Sequence, residues 1–285
     1  MPKLAVLGDP VSHSRSPAMH NGALAELGLA DEWSYEAIEV RAEDFEARVR
    51  AMPAEGFAGA NVTVPHKLAA LALADNATET ARAIGAANTL TFAGGRIEAE
   101  NTDAAGLIGA IGEPVTGRRA LVLGAGGSAR ACVWALREAG AEVDVWNRTP
   151  KKAEALAAEL GASLAERHEH TQRLEADPYE ILVNATTVGV AEANAEAAAR
   201  RSGVDAEPAD LKPLPLAADA IGATHVVVDL PYGPSPTPLA RLARERGAKV
   251  VDGLEVLVHQ GAASLAIWTG LDPPLETMRR AARES

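Results

Sequence analysis

The stretch Ala120-Leu121-Val122-Leu123-Gly124-Ala125-Gly126-Gly127-Ser128-Ala129 decides the fold. Four apolar residues in a row, ending a strand read over 119–123, are the pattern of a strand buried on both faces. Glycines then end it within a turn, and residues 130–139 follow with a helical pattern. Strand, glycine turn and helix in that order open a βαβ unit. Working outward, short apolar or β-branched runs alternate with Ala/Leu/Glu-rich helical stretches, which predicts an α/β protein with a mainly parallel sheet. Further strands are expected downstream at 142–146, 181–184, 226–230 and 249–251, with helix from Asp252 to the end. Upstream, strands are expected at 3–7, 33–40 and 60–64. Runs at 88–92 and 96–100 flank Gly94-Gly95, a hairpin signal.

Residues 103 to about 112 read as a connecting helix, and the last helices bring no strands of their own. The expected architecture is therefore an N-terminal αβ substrate domain (1–103) and an inserted Rossmann-type dinucleotide-binding domain (104–251). The C-terminal helices (252–285) would return to the first domain, leaving a cleft between the two. Residues 191–222, rich in Ala, Glu and Pro, are expected to form a mobile surface excursion with a helical turn around 195–201.

Composition narrows the function. With 47% hydrophobic and 23% charged residues the chain is of globular type, and with only 4% aromatics its cores must rest on Ala, Leu and Val. A net charge of −12 argues against a nucleic-acid partner or an anionic membrane. It leaves room for an anionic small molecule, since helix N-termini and a few basic side chains make such sites locally. One cysteine, Cys132, allows no internal disulfide framework and no cysteine metal cluster. Cys132 reads as a packing residue, and no metal is expected; His168-Glu169-His170 reads as a solvated loop. The chain starts directly with a strand pattern, and no apolar run approaches the ~20 residues of a membrane span. A cytoplasmic protein is expected.

The glycine turn carries the first chemistry. Gly124 permits the tight turn, Gly126 lets backbone approach a pyrophosphate, and the following helix offers free N–H groups. Ala129 takes the place of the third glycine. In NAD-binding folds an acid about twenty residues on accepts from the ribose 2′-hydroxyl. Here the second strand ends instead in Asn147-Arg148-Thr149, with Lys151 and Lys152 just beyond. That set suits a 2′-phosphate and favours NADP over NAD. Thr149 and Pro150 are equally a helix start of ordinary type.

Three N-terminal segments look chemical. In Gly8-Asp9-Pro10-Val11-Ser12-His13-Ser14-Arg15-Ser16-Pro17, two serines spaced by two precede a helix start and could take a small carboxylate, or Ser16 could simply cap the helix. In Asn61-Val62-Thr63-Val64-Pro65-His66-Lys67, a strand delivers Asn61 and Thr63, and Lys67 falls in the first turn of a helix. Cations are disfavoured there by about 0.3–1 kcal/mol, so the placement invites a functional reason. Asn101-Thr102-Asp103 puts a carboxylate where the domains should meet, or only an N-cap. His13, His20 and His66 neighbour these segments, and nothing gives any of them the proton step.

Together these segments resemble the shikimate dehydrogenase family: its serine-rich carboxylate loop, its Asn-Val-Thr-x-Pro-x-Lys strand end and its Asn-Thr-Asp turn, in family order. Asn88 in Ala87-Asn88-Thr89, Asn184-Ala185-Thr186, Asp229-Leu230-x-Tyr232-x-Pro234 and Asp252-Gly253-Leu254 followed by Gln260 fit as well. The resemblance implies reversible NADPH-dependent reduction of 3-dehydroshikimate to shikimate, a step of aromatic amino-acid biosynthesis. It implies that Lys67 and Asp103 are catalytic, Lys67 delivering the proton and Asp103 orienting it. Ser14, Ser16, Asn61, Thr63, Lys67, Asn88, Asp103, Tyr232 and Gln260 would line the substrate pocket. Gly124, Ala125, Gly126, Gly127, Ser128, Ala129, Asn147, Arg148, Thr149, Lys152, Thr186 and Gly253 would hold NADP. A small-molecule substrate and a monomer or homodimer are expected.

Two positions depart from the family pattern: Val190 and Val256 stand where methionine is expected, and the 191–222 segment is long for the family. Competing readings are a quinate or dual quinate/shikimate dehydrogenase and a non-catalytic NADPH-binding sensor using the excursion against a partner. A methylene-folate-type dehydrogenase also pairs a lysine with a nucleotide fold, but leaves the paired serines without a purpose.

Overall fold

The computed structural model describes residues 1–167, 174, 178–201, 211, 214–217 and 220–285. They fall into two compact units, Met1–Gly109 with Leu257–Ser285, and Ala110–Val256. The first contains β1 (Lys3–Gly8), α1 (Ser16–Glu26), β2 (Ser34–Glu39), α2 (Phe45–Ala51) and β3 (Phe57–Val62). There follow α3 (Lys67–Leu73), β4 (Asn76–Ala77), α4 (Glu79–Ile84), β5 (Thr89–Ala93) and β6 (Arg96–Glu100). Helix α5 (Asp103–Ile111) carries the chain into the second unit: β7 (Arg119–Leu123), α6 (Gly127–Glu138), β8 (Glu142–Trp146), α7 (Pro150–Leu160) and β9 (Ser163–Leu164). Next come β10 (Ile181–Asn184), α8 (Val190–Arg201), β11 (Val226–Asp229), α9 (Pro238–Glu245) and β12 (Lys249–Asp252). Helix α10 (Gly253–Thr269) brings the chain back to the first unit, which ends with α11 (Leu275–Glu284).

The first sheet has the order β2-β1-β3-β5-β6-β4. Its β1 pairs in parallel with both β2 and β3, while β3, β5 and β6 run antiparallel in sequence. Gly94 and Gly95, at φ 59° and 75°, make the tight β5–β6 turn, which needs positive φ at both positions. Strand β1 is apolar on both faces. Ala5 and Leu7 pack with Phe45, Val49 and Phe57 on one side. On the other, Leu4 and Val6 pack with Met19, Leu24, Val258, Leu265 and Met278. The C-terminal helices thus help close one face of the sheet that opens the chain, as expected from their lack of strands.

The second sheet runs β9-β8-β7-β10-β11-β12, all parallel. This is the order of the doubly wound dinucleotide-binding sheet, whose direction of winding reverses between β7 and β10. Among the described residues no helix is long and apolar enough to cross a membrane.

Several boundaries need correction. Strand β3 starts at Phe57, not at 60, and stops at Val62. Gly59 hides its beginning: a Cβ there would lie 2.2 Å from the Trp268 indole nitrogen, so this glycine marks a close approach within a strand. Its end is brought forward because Val64 precedes a proline, which cannot donate to a ladder. Helix α6 begins at Gly127, three residues before the expected start. The segment expected as an excursion with one turn at 195–201 opens with a full helix, α8. Its Ala, Glu and Arg are strong helix formers, and Glu196 forms a 2.5 Å ion pair with Arg241 of α9. Residues 202–210 and the His168-Glu169-His170 segment lie outside the described residues.

Candidate active site

In the first unit, β3 delivers Lys67 as the first residue of α3. The turn before it is held by His66, whose ring is stacked on Phe45 at 4.3 Å and bonds the Val40 carbonyl through Nε2 at 2.6 Å. Lys67 is only 8% exposed, and its Nζ donates to Asp103 Oδ2 at 2.5 Å. Asp103 heads α5, where the helix dipole favours a carboxylate. Its other oxygen, Oδ1, accepts from Asn88 Nδ2 at 2.9 Å, and its own N–H donates to Asn101 Oδ1. Asn88 also reaches Gln260 Oε1 at 3.1 Å and Thr102 Oγ1 at 2.9 Å, while its Oδ1 accepts the Thr102 N–H at 2.7 Å. Gln260 is anchored in turn by its Nε2, which donates to the Leu257 carbonyl at 2.9 Å. Lys67, Asp103, Asn88, Thr102 and Gln260 are thus one connected network. Helices α5 and α10 approach closely enough for this because of Gly106: a Cβ there would fall 2.6 Å from Gln260 Cβ.

Other expected substrate residues take different places. Asn61 is buried and bonded on every side. Its Oδ1 accepts from the Tyr35 hydroxyl (2.7 Å) and Ser264 (3.4 Å), and its Nδ2 donates to Asn88 O and Thr89 Oγ1, both at 3.2 Å. Ser14 Oγ accepts the Ser16 N–H at 3.2 Å; Ser16 is the first residue of α1, and its cap position is Arg15. The loops carrying these serines and Thr63 run side by side at the carboxyl ends of β1 and β3. There the Asp9 N–H donates to Val64 O, and the Thr63 methyl lies against Gly8. Tyr232 is half-buried and belongs to the second unit. Sequence reasoning missed Thr102, Tyr35 and Ser264. Thr102 sits in the quoted Asn-Thr-Asp turn, whereas nothing local marks the other two.

His20 is fully buried and outside the network. Its ring stacks on Tyr35 at 4.1 Å, neither ring nitrogen has a hydrogen-bond partner among the described residues, and burial pushes its pKa down to about 3.

In the second unit the glycine turn follows β7. Gly124 has φ +121°, and a Cβ on it would lie 2.9 Å from the Ala185 carbonyl oxygen; only glycine fits. Gly126 is the cap residue of α6, with no side-chain capping bond, and a Cβ on it would point into open space. The first-turn N–H groups and bare backbone here are the features a pyrophosphate needs. Ala125, Gly127 and Ser128 are half-buried along the same turn, and Ala129 is buried beneath it. After β8, Asn147 Nδ2 donates to Thr149 O at 3.0 Å, shaping the turn. Thr149 caps α7 by position only, with no side-chain bond, and Arg148, Lys151 and Lys152 are exposed beside it. Thr186, after β10, donates through its hydroxyl to Asn184 Oδ1 at 2.7 Å. Gly253, the first residue of α10, lies against the Leu230 carbonyl, whose oxygen is 2.1 Å from where a Cβ would stand.

At this carboxyl edge Asp229 is buried between Asn184, which donates to its Oδ1 at 2.8 Å, and the Thr237 hydroxyl, which donates to its Oδ2. Burial pushes its pKa up to about 6, against the opposing pull of Thr237, Asn184, the Ala240 N–H and the Arg244 charge. Among the described residues no group of three His, Cys, Asp or Glu could hold a metal.

Fold and sites together define a two-unit α/β protein of the dinucleotide-binding class. Three family models match along it: the shikimate dehydrogenase substrate binding domain (residues 6–90), shikimate / quinate 5-dehydrogenase (107–203) and the shikimate 5'-dehydrogenase C-terminal domain (253–283). A shikimate dehydrogenase (NADP(+)) of Thermus thermophilus is 44% identical, over 100% of this chain and 99% of its own. The namesake of Methanocella arvoryzae is 40% identical, over 98% and 97%. A crystal structure of Thermus thermophilus shikimate 5-dehydrogenase in complex with NADP(H) and shikimate aligns with a TM-score of 0.84 at 43% identity, over 100% and 99% of the two chains. The chain belongs to the shikimate dehydrogenase family.

Proposed function

We propose that this protein catalyses the reversible, NADPH-dependent reduction of 3-dehydroshikimate to shikimate, with Lys67 as proton donor and Asp103 as its orienting partner. The observation that carries the assignment is the 2.5 Å Lys67–Asp103 pair, its lysine buried and its carboxylate half-buried, locked by Asn88 and Gln260. NADPH, when bound, supplies the hydride that reaches the C3 carbonyl carbon of the substrate. The oxygen that becomes an alkoxide takes its proton from the Lys67 ammonium, which is left as a neutral amine. Asp103 holds that nitrogen in place through the 2.5 Å contact. Because shikimate oxidation releases a proton, that direction is favoured at higher pH.

Ser14 and Ser16 would receive the substrate carboxylate, with Thr63 beside them, and Tyr232 would line the substrate pocket as the family resemblance implies. Asn61, whose bonds are all internal, would shape the pocket through Tyr35 and the Asn88 backbone rather than by donating to substrate. The residues present fit NADP. Gly124, Ala125, Gly126, Gly127, Ser128 and Ala129 would receive the pyrophosphate. Asn147, Arg148, Thr149 and Lys152 would surround the 2′-phosphate, and Thr186 and Gly253 would stand at the nicotinamide end. In this scheme residues 1–103 and 252–285 would serve mainly the substrate and 104–251 mainly the cofactor, with Tyr232 and Gly253 as the exceptions. A cytoplasmic monomer or homodimer completes the proposal; gel filtration and cell fractionation test it.

The family model naming quinate alongside shikimate favours a second reading, dual specificity. A spectrophotometric assay with shikimate and quinate, each against NADP and NAD, tests both. Turnover with shikimate and NADP is expected to exceed the other three combinations, and absence of turnover with either substrate would overturn the assignment.

A further inference from the structure

Asp229 ends β11 at the carboxyl edge of the second sheet, beside Asn184, its register partner at the end of β10. The two are 1% exposed, and Thr237 is 3% exposed. From this buried centre two loops depart. One is the turn after β10. Asn184 Oδ1 accepts both the N–H (3.1 Å) and the hydroxyl (2.7 Å) of Thr186, and its Nδ2, besides Asp229, reaches the Val188 carbonyl at 3.2 Å. The Val188 N–H donates back to Thr186 Oγ1 at 3.0 Å. The far side of this turn abuts the glycine turn of the nucleotide site, where Gly124 has no room for a Cβ beside the Ala185 carbonyl. The other loop runs from Leu230 to Thr237 and carries Tyr232. It is fixed at its end because the Thr237 hydroxyl donates to Asp229 Oδ2 and accepts the Ala240 N–H at 3.1 Å, capping α9. The two loops also touch directly: a Cβ on Gly189 would meet Thr237 Cβ at 2.9 Å.

We propose that Asp229 is a positioning residue that sets the two loops presenting Thr186 and Tyr232, acting on one through Asn184 and on the other through Thr237. The assignment rests on the reading that the turn after β7 receives NADPH and that Tyr232 faces substrate. A carboxylate is well matched to this role. As an acceptor-only group it fixes which way the Asn184 amide points, and with it the acceptor that holds Thr186. An apolar residue would leave Asn184 Nδ2 and the Thr237 hydroxyl without their partner in a dry interior.

The experiment compares Asp229→Ala, Asp229→Asn and Thr237→Val with Val227→Ala, a cavity made in the same strand among buried apolar neighbours. NADPH affinity is measured by fluorescence titration, alongside KM for shikimate, kcat and Tm. Asp229→Ala is expected to raise both the NADPH Kd and the shikimate KM about tenfold, the loss of one buried hydrogen-bonded partner, with kcat changed less. Asp229→Asn, which can still accept from Asn184, is expected to recover most of the NADPH affinity. Thr237→Val, which keeps the residue's shape, is expected to raise the shikimate KM more than the NADPH Kd, and it carries the test should Asp229→Ala fail to fold. Val227→Ala should lower Tm yet leave Kd and KM within about twofold. Unchanged Kd and KM in Asp229→Ala, or in Thr237→Val if that is the variant that folds, overturn the proposal. Equal rises in Val227→Ala do the same. Wild-type protein that binds no NADPH overturns the dinucleotide reading and the proposal together.

Discussion

The two units each bury a polar network at the carboxyl end of their sheet, and the networks are built on opposite plans. In the first, a full positive charge meets a full negative one: Lys67 on Asp103, braced by the Asn88 and Gln260 amides. In the second, one carboxylate, Asp229, is surrounded mainly by neutral donors from Asn184 and Thr237. A buried charge must be compensated, by an opposite charge or by hydrogen bonds. Neutral donors compensate less completely, and Asp229 shows the deficit as a pKa pushed up to about 6. An ion pair is thus found where a mobile proton is proposed, and a carboxylate with neutral donors where only orientation is.

The comparison breaks most easily at Lys67. Lys67→Ala is expected to lower turnover by about 10²–10⁴-fold, the usual weight of a general acid, with little change in substrate affinity. Steady-state kinetics beside a binding titration check it, and near-normal turnover would end the proton-donor role. Next is the matched charge itself. Asp103→Ala leaves Lys67 buried without its counter-ion and should cost about 3–5 kcal/mol of stability, read as a shift in the urea midpoint. Asp103→Asn, which keeps the hydrogen-bonding shape, should cost less.

Two smaller effects set the units against each other in pH. His20 in the first unit titrates near 3 when folded and near 6.5 when free. The unfolded chain therefore binds the proton first, and stability is lost as pH falls from about 6.5 toward 3, by roughly 2 kcal/mol at pH 5. His20→Phe, which keeps a ring against Tyr35, should remove that slope; a variant as acid-sensitive as wild type would show that His20 is not its source. Asp229 acts in the other direction. Its folded pKa lies above the free value of 3.8, so the folded state takes the proton first, and stability falls as pH rises from about 4 to 6. Its effect between pH 7 and pH 5 is about 1 kcal/mol in favour of the acid form. Native-state hydrogen exchange of β3 and β11 amides, corrected for intrinsic rate, should show acid loosening the first unit while tightening the second. Equal slopes would erase the distinction.

Much of this was legible in the chain. The run from Ala120 to Ala129 yields the second sheet's topology because a parallel sheet buries its strands on both faces and leaves unbroken apolar runs. The two-residue strands β4 and β9 carry too few residues to show any periodicity. The start of β3 was masked by Gly59, whose reason lies in Trp268, over two hundred residues away. The candidate site divides in the same way. Lys67 stood out locally by sitting against a helix dipole, and Asp103 by its turn. Their meeting across 36 positions of sequence is tertiary information that only the resemblance could suggest. Asn61 is marked locally by the motif beside Thr63, whereas its bonds to Tyr35, Asn88 and Thr89 join segments far apart in the chain.

Gly106 has no functional group, yet the reach of the Gln260 amide depends on it, since any side chain there would wedge α5 away from α10. A single added methyl would lift the amide off Asn88 and slacken the grip on Asp103; on the proposed mechanism it would lower turnover without altering one reacting atom.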